Sequence, residues 1–519
     1  MTAEVPPRRE PTRVRIFVAD GVRASARRTP EKVALIDGAR RLRYRDLVER
    51  IDRVSSGALH GFGLRPGQHS AILAPSCMEF IELTLGLACA GTPPAHINAR
   101  SSAAELVALC KDSEARVLFV HPSLEELARD ARPDVERIVV IGEEYERWLA
   151  DASPHPADVE LDEWDAFAIP YTAGTTGAPK GVLLPHRRAL GWFAAGVEFG
   201  CYGPDDHAVA VAPLYHGAGF TFAVAPICFG GTTTLLARFE PEAVLEAIER
   251  DRATNVFLVP THFAAIFGLG ARALAGFDAG SLRAIISGAA PLSQALKERI
   301  IARFGEILFE CYGSTESGIT TSLRPRDQLR KEYSIGLPFP GSQLRLLDDD
   351  GADVETGEIG ELYSRTPYRF AGYWKRPEET AEGFRGAWFT SGDLARQDEE
   401  GYVYLVDRKN DKIVSGGVNI YPREIEEAIA RHPAVAETAV FGVPDDYWGE
   451  VVAAAVSLVP GGSLEAAELI AHCEAQGLAR FKLPKGVEFH EELPKNAGGK
   501  ILRRSLREPH WRGRERRIA

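Results

Sequence analysis

Between residues 15 and 345 the sequence alternates short apolar runs with longer helix-like ones, and from about Gly341 that rhythm breaks. HSAILAPS (69–76), RVLFVH (116–121) and NVFLVP (255–260) read as strands, and MEFIELTLGLACAG (78–91) reads as a helix. Strands alternating with helices predict α/β layers built on largely parallel sheets. Beyond Gly341, the segments LRLLDDDG, GEIGELYSR and GYVYLVDR are strand-like and joined by tight Asp/Gly turns, which predicts an antiparallel patch. After Arg408 the order is strand KIVSG, helix PREIEEAIARHP, strands VAETAVFGVP and VVAAAVSLVP, helix LEAAELIAHCEAQG and strand GVEFHEE. That is a compact α+β unit of about 110 residues, a sensible size for a small domain. The charged run DRKNDK (407–412) is expected to link it to the rest. A chain of 519 residues is in any case too long for one ordinary core.

Within the first part, YTAGTTGAPKGVLLPH (171–186) stands out. Thr172, Thr175, Thr176, several glycines and Lys180 share one loop, between strand-like runs at 166–171 and 182–184. Glycine lets backbone N–H groups come close to a polyphosphate, and a lysine adds a mobile charge. The spacing is not that of a Walker A loop, because Ala178 and Pro179 separate Gly177 from Lys180 and Gly181 follows. Taken alone, such a loop is more often a plain surface turn.

Composition narrows the classes of partner. A net charge of −12 argues against nucleic acid as a bulk partner. The seven cysteines are scattered, with no CxxC pair, as in a reduced, cytoplasmic protein without structural zinc. The first fifteen residues contain no apolar signal core, and the uncharged stretch 217–237 is broken by Pro226, Gly230 and Gly231, so it reads as buried core and not as a membrane span. The arginines of the C-terminal tail, from Arg503 to Arg517, read as a solvated basic end.

The 171–186 loop closely resembles the phosphate loop of the adenylate-forming enzymes, the superfamily of acyl-CoA synthetases, peptide-synthetase adenylation domains and firefly luciferase. Five further segments match the same superfamily in order: SGAAPLS (287–293), CYGSTES (311–317), TSGD (390–393) with Arg408, KIVSGGVNIYPREIE (412–426) and LPKNAGGKI (493–501). The resemblance implies an α/β fold. A large N-terminal domain, residues 1–409, would hold stacked, mostly parallel sheets with helices and an antiparallel sub-barrel; a small mobile α+β C-terminal lid would span 410–519.

By that resemblance Tyr312 packs on adenine, Gly313 belongs to the same turn, Thr315 contacts the phosphates and Glu316 holds Mg²⁺. Gly288, Ala289 and Ala290 line the adenine and acyl pocket, while Asp393 and Arg408 bind the ribose. Lys500 reaches the α-phosphate during adenylation, where an ammonium offsets the repulsion of two anions. Gly416 and Gly417 line the pantetheine tunnel, Trp448, Phe481 and Lys485 match positions that touch coenzyme A, and His216 borders the acyl pocket. Two positions depart from the pattern: Asn410 stands at the hinge, usually Asp or Lys, and Leu483 stands where some relatives are basic. Outside the resemblance, Tyr312 reads as a core aromatic, Glu316 as a solvated charge, Asp393 as a turn residue and Lys500 as a surface lysine.

The implied activity is that of an acid–CoA ligase using ATP, Mg²⁺ and coenzyme A. The uncharged stretch after His216 lacks the aspartate expected of an amino-acid-activating relative, so the acid is expected to be apolar. Ala289 and Ala290 leave room for a bulky cyclic acid as well as a fatty chain. Loading of an acyl carrier protein, a non-catalytic nucleotide- or acyl-binding regulator and a luciferase-type oxygenase are the competing readings. The oligomeric state is open, a homodimer among the options.

Overall fold

The computed structural model describes residues 15–173, 179–409, 411–416, 418–495 and 501–512. Among the described residues the large part of the chain forms two extended sheets. In the seven-stranded sheet, Ala166–Ala173, Pro94–Ile97, His69–Leu73, Ala115–Val120 and Arg137–Val140 run parallel. Strand His69–Leu73 is buried along its whole length, as expected of a parallel strand covered on both faces. The helix Met78–Cys89 is sealed in the core, packed against the helix Tyr44–Ser56, and its two buried acids, Glu79 and Glu82, are paired with Arg40 and Arg50. Helix Ala103–Ser113 starts with a capping box, in which Ser102 and Glu105 satisfy each other's N–H groups, an arrangement worth about 1 kcal/mol.

The predicted strands on either side of the Gly/Thr-rich segment are present, but Thr172 and Lys180 lie on those strands and not in a loop between them. Ala166–Ala173 pairs antiparallel with Pro179–Pro185, and Thr172 lies opposite Lys180. The short strand Gly372–Tyr373 adds to the far edge of this hairpin.

The second sheet has fourteen strands. Its parallel part contains Val33–Asp37, Thr232–Leu235, His207–Ala210, Asn255–Leu258, Ala284–Ser287 and Leu308–Ser314. It then continues antiparallel through Gly318–Leu323, Ser334–Pro338, Val403–Arg408, Trp388–Gln397, Gly360–Arg365 and Gln343–Leu347. The switch falls between Leu308–Ser314 and Gly318–Leu323, ahead of Gly341. The antiparallel strands curl. Tyr312 and Asp393 sit on strands four places apart in the sheet, roughly 19 Å if it were flat, yet their side chains are hydrogen-bonded at 2.5 Å.

The C-terminal unit is a separate sheet around its own core of Ile413, Ile425, Ile429, Val452 and Leu469. Val418–Ile420, Ile413–Ser415, Gly449–Leu458 and Val435–Asp445 run antiparallel, and Gly486–His490 pairs parallel with Gly449–Leu458. Helices Pro422–Ala430 and Ala466–Ala475 cover one face.

The helix after SGAAPLS begins at Gln294, capped by Ser293. Two local expectations differ from the structure. DRKNDK is not wholly a solvated linker, since Asp407 and Arg408 end a strand and Asp407 is 7% exposed. Nor is Arg503 part of a solvated tail. Its guanidinium spans Asp407, Asp411 and Glu426 at 3.5, 3.2 and 2.5 Å, in a short helix Arg503–Arg507. The stretch 217–237 is the buried helix Gly217–Cys228 followed by the strand Thr232–Leu235. No helix among the described residues is long and apolar enough to cross a membrane.

Candidate active site

The strand Leu308–Ser314 carries the centre of the site. Where it lies beside Ala284–Ser287, the chain leaves the latter strand through Gly288, and a Cβ there would sit 2.8 Å from the Cys311 carbonyl oxygen. Only glycine allows that approach. The next residue, Ala289, has φ +68°, a left-handed conformation that an alanine holds at a cost, and such strain collects where backbone is shaped for a ligand. Ala290 follows in the same turn.

Tyr312 donates its phenol to Asp393 Oδ2, and Ser391 Oγ donates to the same oxygen at 2.7 Å. Asp393 Oδ1 lies 3.3 Å from Arg408 Nε, its cross-strand neighbour. Burial first, then the Asp393 charge, hold the Tyr312 hydroxyl far above the ordinary tyrosine range, so it remains a donor. The residues predicted for adenine and ribose are therefore one hydrogen-bonded group.

Gly313 and Ser314 end the strand opposite Ile319 and Gly318. Thr315 then approaches the start of the helix Gly217–Cys228, its Oγ1 3.8 Å from where a Gly217 Cβ would stand. His216 precedes that helix, edge-on to Tyr215 at 4.7 Å between ring centres. Its Nε2 is buried without a hydrogen-bond partner among the described residues, and burial lowers its pKa, so the ring is neutral at pH 7.

Glu316 accepts a 2.8 Å hydrogen bond from the Tyr373 hydroxyl. Its backbone carbonyl accepts from Phe370 N at 2.7 Å and from Arg188 at 3.5 Å. Arg188 is buried, and burial pulls its guanidinium down to about 10. Lys180 lies against the same tyrosine: its Nζ is 5.2 Å from the Tyr373 ring centre and ion-paired with Glu379. Thr172 is opposite it on the hairpin.

The small domain contributes a second cluster. Gly416 turns the hairpin between Ile413–Ser415 and Val418–Ile420 with φ +56°, and a Cβ would stand 2.6 Å from Trp448 Cε3. Gly416 N–H donates to the Trp448 carbonyl at 2.8 Å. Trp448 is 50% exposed, with Tyr447 edge-on to it and 82% exposed. Thr175, Thr176, Lys500, Gly417 and Asn410 lie outside the described residues. Sequence reasoning missed Tyr373, Glu379 and Arg188, all within contact of the predicted residues.

This arrangement matches known proteins over nearly the whole chain. The model of the AMP-binding enzyme family matches residues 22–374, and that of its C-terminal domain matches residues 424–500. The chain belongs to the AMP-binding enzyme family. It is 36% identical over 485 residues to a feruloyl-CoA synthase of Amycolatopsis sp, covering 93% of this chain and 96% of that one. It is 34% identical to the fatty acid–[acyl-carrier-protein] ligase ScoC of Streptomyces coeruleorubidus, covering 95% and 96%. The crystal structure of the anthranilate CoA ligase AuaEII with anthranoyl-AMP superposes with a TM-score of 0.87 at 29% identity, over 96% of this chain and 97% of that one. The protein is an acyl-CoA synthetase of the AMP-forming kind, with the family's α/β architecture and smaller C-terminal domain. ATP, a carboxylic acid and coenzyme A are the substrates this family implies.

Proposed function

We propose that the enzyme activates an apolar carboxylic acid as its acyl adenylate and passes the acyl group to coenzyme A. The observation that carries the choice of acid is the wall behind His216. Helix Gly217–Cys228 offers Phe220, Phe222, Ala223 and Val224, all buried, and no charged residue. A neutral imidazole and apolar side chains favour an uncharged tail, since an ammonium group there would lose its water without gaining a partner. The likeness to a feruloyl-CoA synthase and to an anthranilate CoA ligase supports a planar ring as the tail.

In the first half-reaction the carboxylate attacks the α-phosphorus and pyrophosphate leaves. Two anions must meet, so positioning and charge neutralisation supply most of the rate. Tyr312, Asp393 and Arg408 would seat the adenosine; Thr172, Thr175, Thr176 and Lys180 would hold the phosphates; Lys500 would face the α-phosphate. Gly288, Ala289, Ala290, Gly313 and Thr315 would shape the wall between nucleotide and acid.

A magnesium ion arriving with ATP needs few protein ligands. Glu316 fits that role: Tyr373 holds one carboxylate oxygen in place, and the other has no hydrogen-bond donor among the described residues. No group of three or more His, Cys, Asp or Glu side chains among the described residues is placed to bind a metal alone. Bound there, the ion would neutralise phosphate charge.

For the second half-reaction the lid, residues 410–519, would turn about Asn410 and bring Gly416, Gly417 and Trp448 to the thiol. Transfer to a carrier protein is the second reading, favoured by the likeness to ScoC. Pyrophosphate release with acid and ATP alone, then thioester formation with either coenzyme A or a pantetheine-bearing carrier, separates the two. The proposal expects coenzyme A to be acylated; acylation of the carrier alone overturns it. Lys500→Ala should slow adenylation by about two to three orders of magnitude and spare thioester formation from supplied acyl-AMP.

A further inference from the structure

Lys180 does not stand free in its cleft. Its side chain is 14% exposed and paired with Glu379, whose other oxygen lies 3.6 Å from Arg376 Nε. Arg376 in turn reaches Asp112 at 3.2 Å, and Asp112 accepts from the Tyr171 hydroxyl at 2.7 Å. The pair is held by two neighbouring strands of one sheet. The strand Gly372–Tyr373 is bonded to the same strand that carries Lys180, with Tyr373 opposite Val182. Trp374 N–H donates to the Gly181 carbonyl at 2.8 Å, and Tyr373 N–H donates to Thr380 Oγ1 at 2.9 Å, which closes the turn leading to Glu379. Tyr373 then connects this turn to Glu316.

We propose that Glu379 is a positioning residue that competes with pyrophosphate for Lys180 and so speeds release of that product. The idea rests on the reading of Lys180 as a phosphate ligand. A largely buried ammonium without nucleotide needs a counter-anion, and Glu379 supplies it. When phosphates occupy Lys180, the carboxylate is left beside like charge in a partly desolvated cleft. When pyrophosphate departs, the Lys180–Glu379 pair re-forms and offsets the lost contact. Glu379 thus weakens the hold on pyrophosphate and on ATP alike.

The test is pyrophosphate product inhibition together with the KM for ATP, in the full-length enzyme with its acid and coenzyme A. Glu379→Gln keeps shape and removes charge. The proposal expects the pyrophosphate inhibition constant to fall about tenfold, with a lower KM for ATP, a gain that a misfolded variant does not produce. Glu379→Asp, which keeps the charge and shortens its reach, should fall between. In a Lys180→Ala background, which itself weakens both ligands, the gain from Glu379→Gln should shrink, because only the like-charge repulsion is then relieved and no ammonium is freed. An unchanged or weaker hold on pyrophosphate in Glu379→Gln overturns the proposal while Lys180 stands as a phosphate ligand. Unchanged ATP and pyrophosphate affinity in Lys180→Ala overturns both.

Discussion

The phenol of Tyr312 donates to Asp393 across 2.5 Å, although 81 positions separate the two in the chain. Arg408 closes the group from the other side of the carboxylate. The curl of the antiparallel strands is what makes the contact, and so the same bend that shapes the sheet shapes the proposed nucleoside pocket. Asp393→Ala is expected to raise the KM for ATP roughly ten- to hundredfold, the scale of a hydrogen bond to a charged group. Initial-rate kinetics at varied ATP check this. Tyr312→Phe should cost less, since Ser391 still donates to Asp393.

Glu316 has one oxygen fixed by Tyr373. Glu316→Gln should slow adenylation by about a hundredfold, the order expected for one preorganised electrostatic group, and added Mg²⁺ should recover part of the loss. A magnesium titration of pyrophosphate exchange measures it. Tyr373→Phe frees the carboxylate to turn and should give a smaller loss with the same magnesium dependence.

Trp448 covers Gly416 on the small domain. Trp448→Ala should raise the KM for coenzyme A about tenfold while pyrophosphate exchange keeps its rate, because losing an exposed aromatic contact costs on the order of 1 kcal/mol. Gly416→Ala should act in the same direction, since its methyl group must displace the indole and strain a left-handed residue.

Burial raises Asp407 from 3.8 to about 6, although Arg503 and two backbone N–H groups partly counter it. The sign is unusual for a carboxylate. A raised folded pKa means the native state holds the proton at pH values where the unfolded chain has lost it. This group's contribution is complete below pH 3.8 and is lost as pH rises through about 6. Relative to Asp407→Asn, the wild type should lose on the order of 3 kcal/mol between pH 4 and pH 7. Denaturant midpoints of both proteins across that range give the difference directly.

Much of this site was legible because its residues lie in short runs. CYGSTES puts Tyr312, Thr315 and Glu316 within five positions, and the hairpin around Lys180 is announced by its flanking apolar strands. What was not legible depends on long-range contact. Glu379 meets Lys180 from 199 positions away, and in RPEET it looks like any helix-start carboxylate. Arg188 looks like a surface arginine in HRR, yet it is buried against the carbonyls of Glu316 and Tyr368. The basic tail misled for the same reason, because Arg503 is neutralised by acids about eighty to ninety residues earlier.

The central claim is that an apolar acid becomes a coenzyme A thioester through its adenylate. The most direct measurement incubates the enzyme with ATP, Mg²⁺, coenzyme A and a panel of acids, with thioesters identified by mass spectrometry and AMP counted in parallel. The panel should include ferulic and anthranilic acids, medium and long fatty acids, and an α-amino acid with a similar ring. The account expects aryl or alkyl thioesters of coenzyme A, one AMP for each, and none from the amino acid. Preferred thioester formation from the amino acid, or AMP release from apolar acids with no coenzyme A thioester, would contradict it.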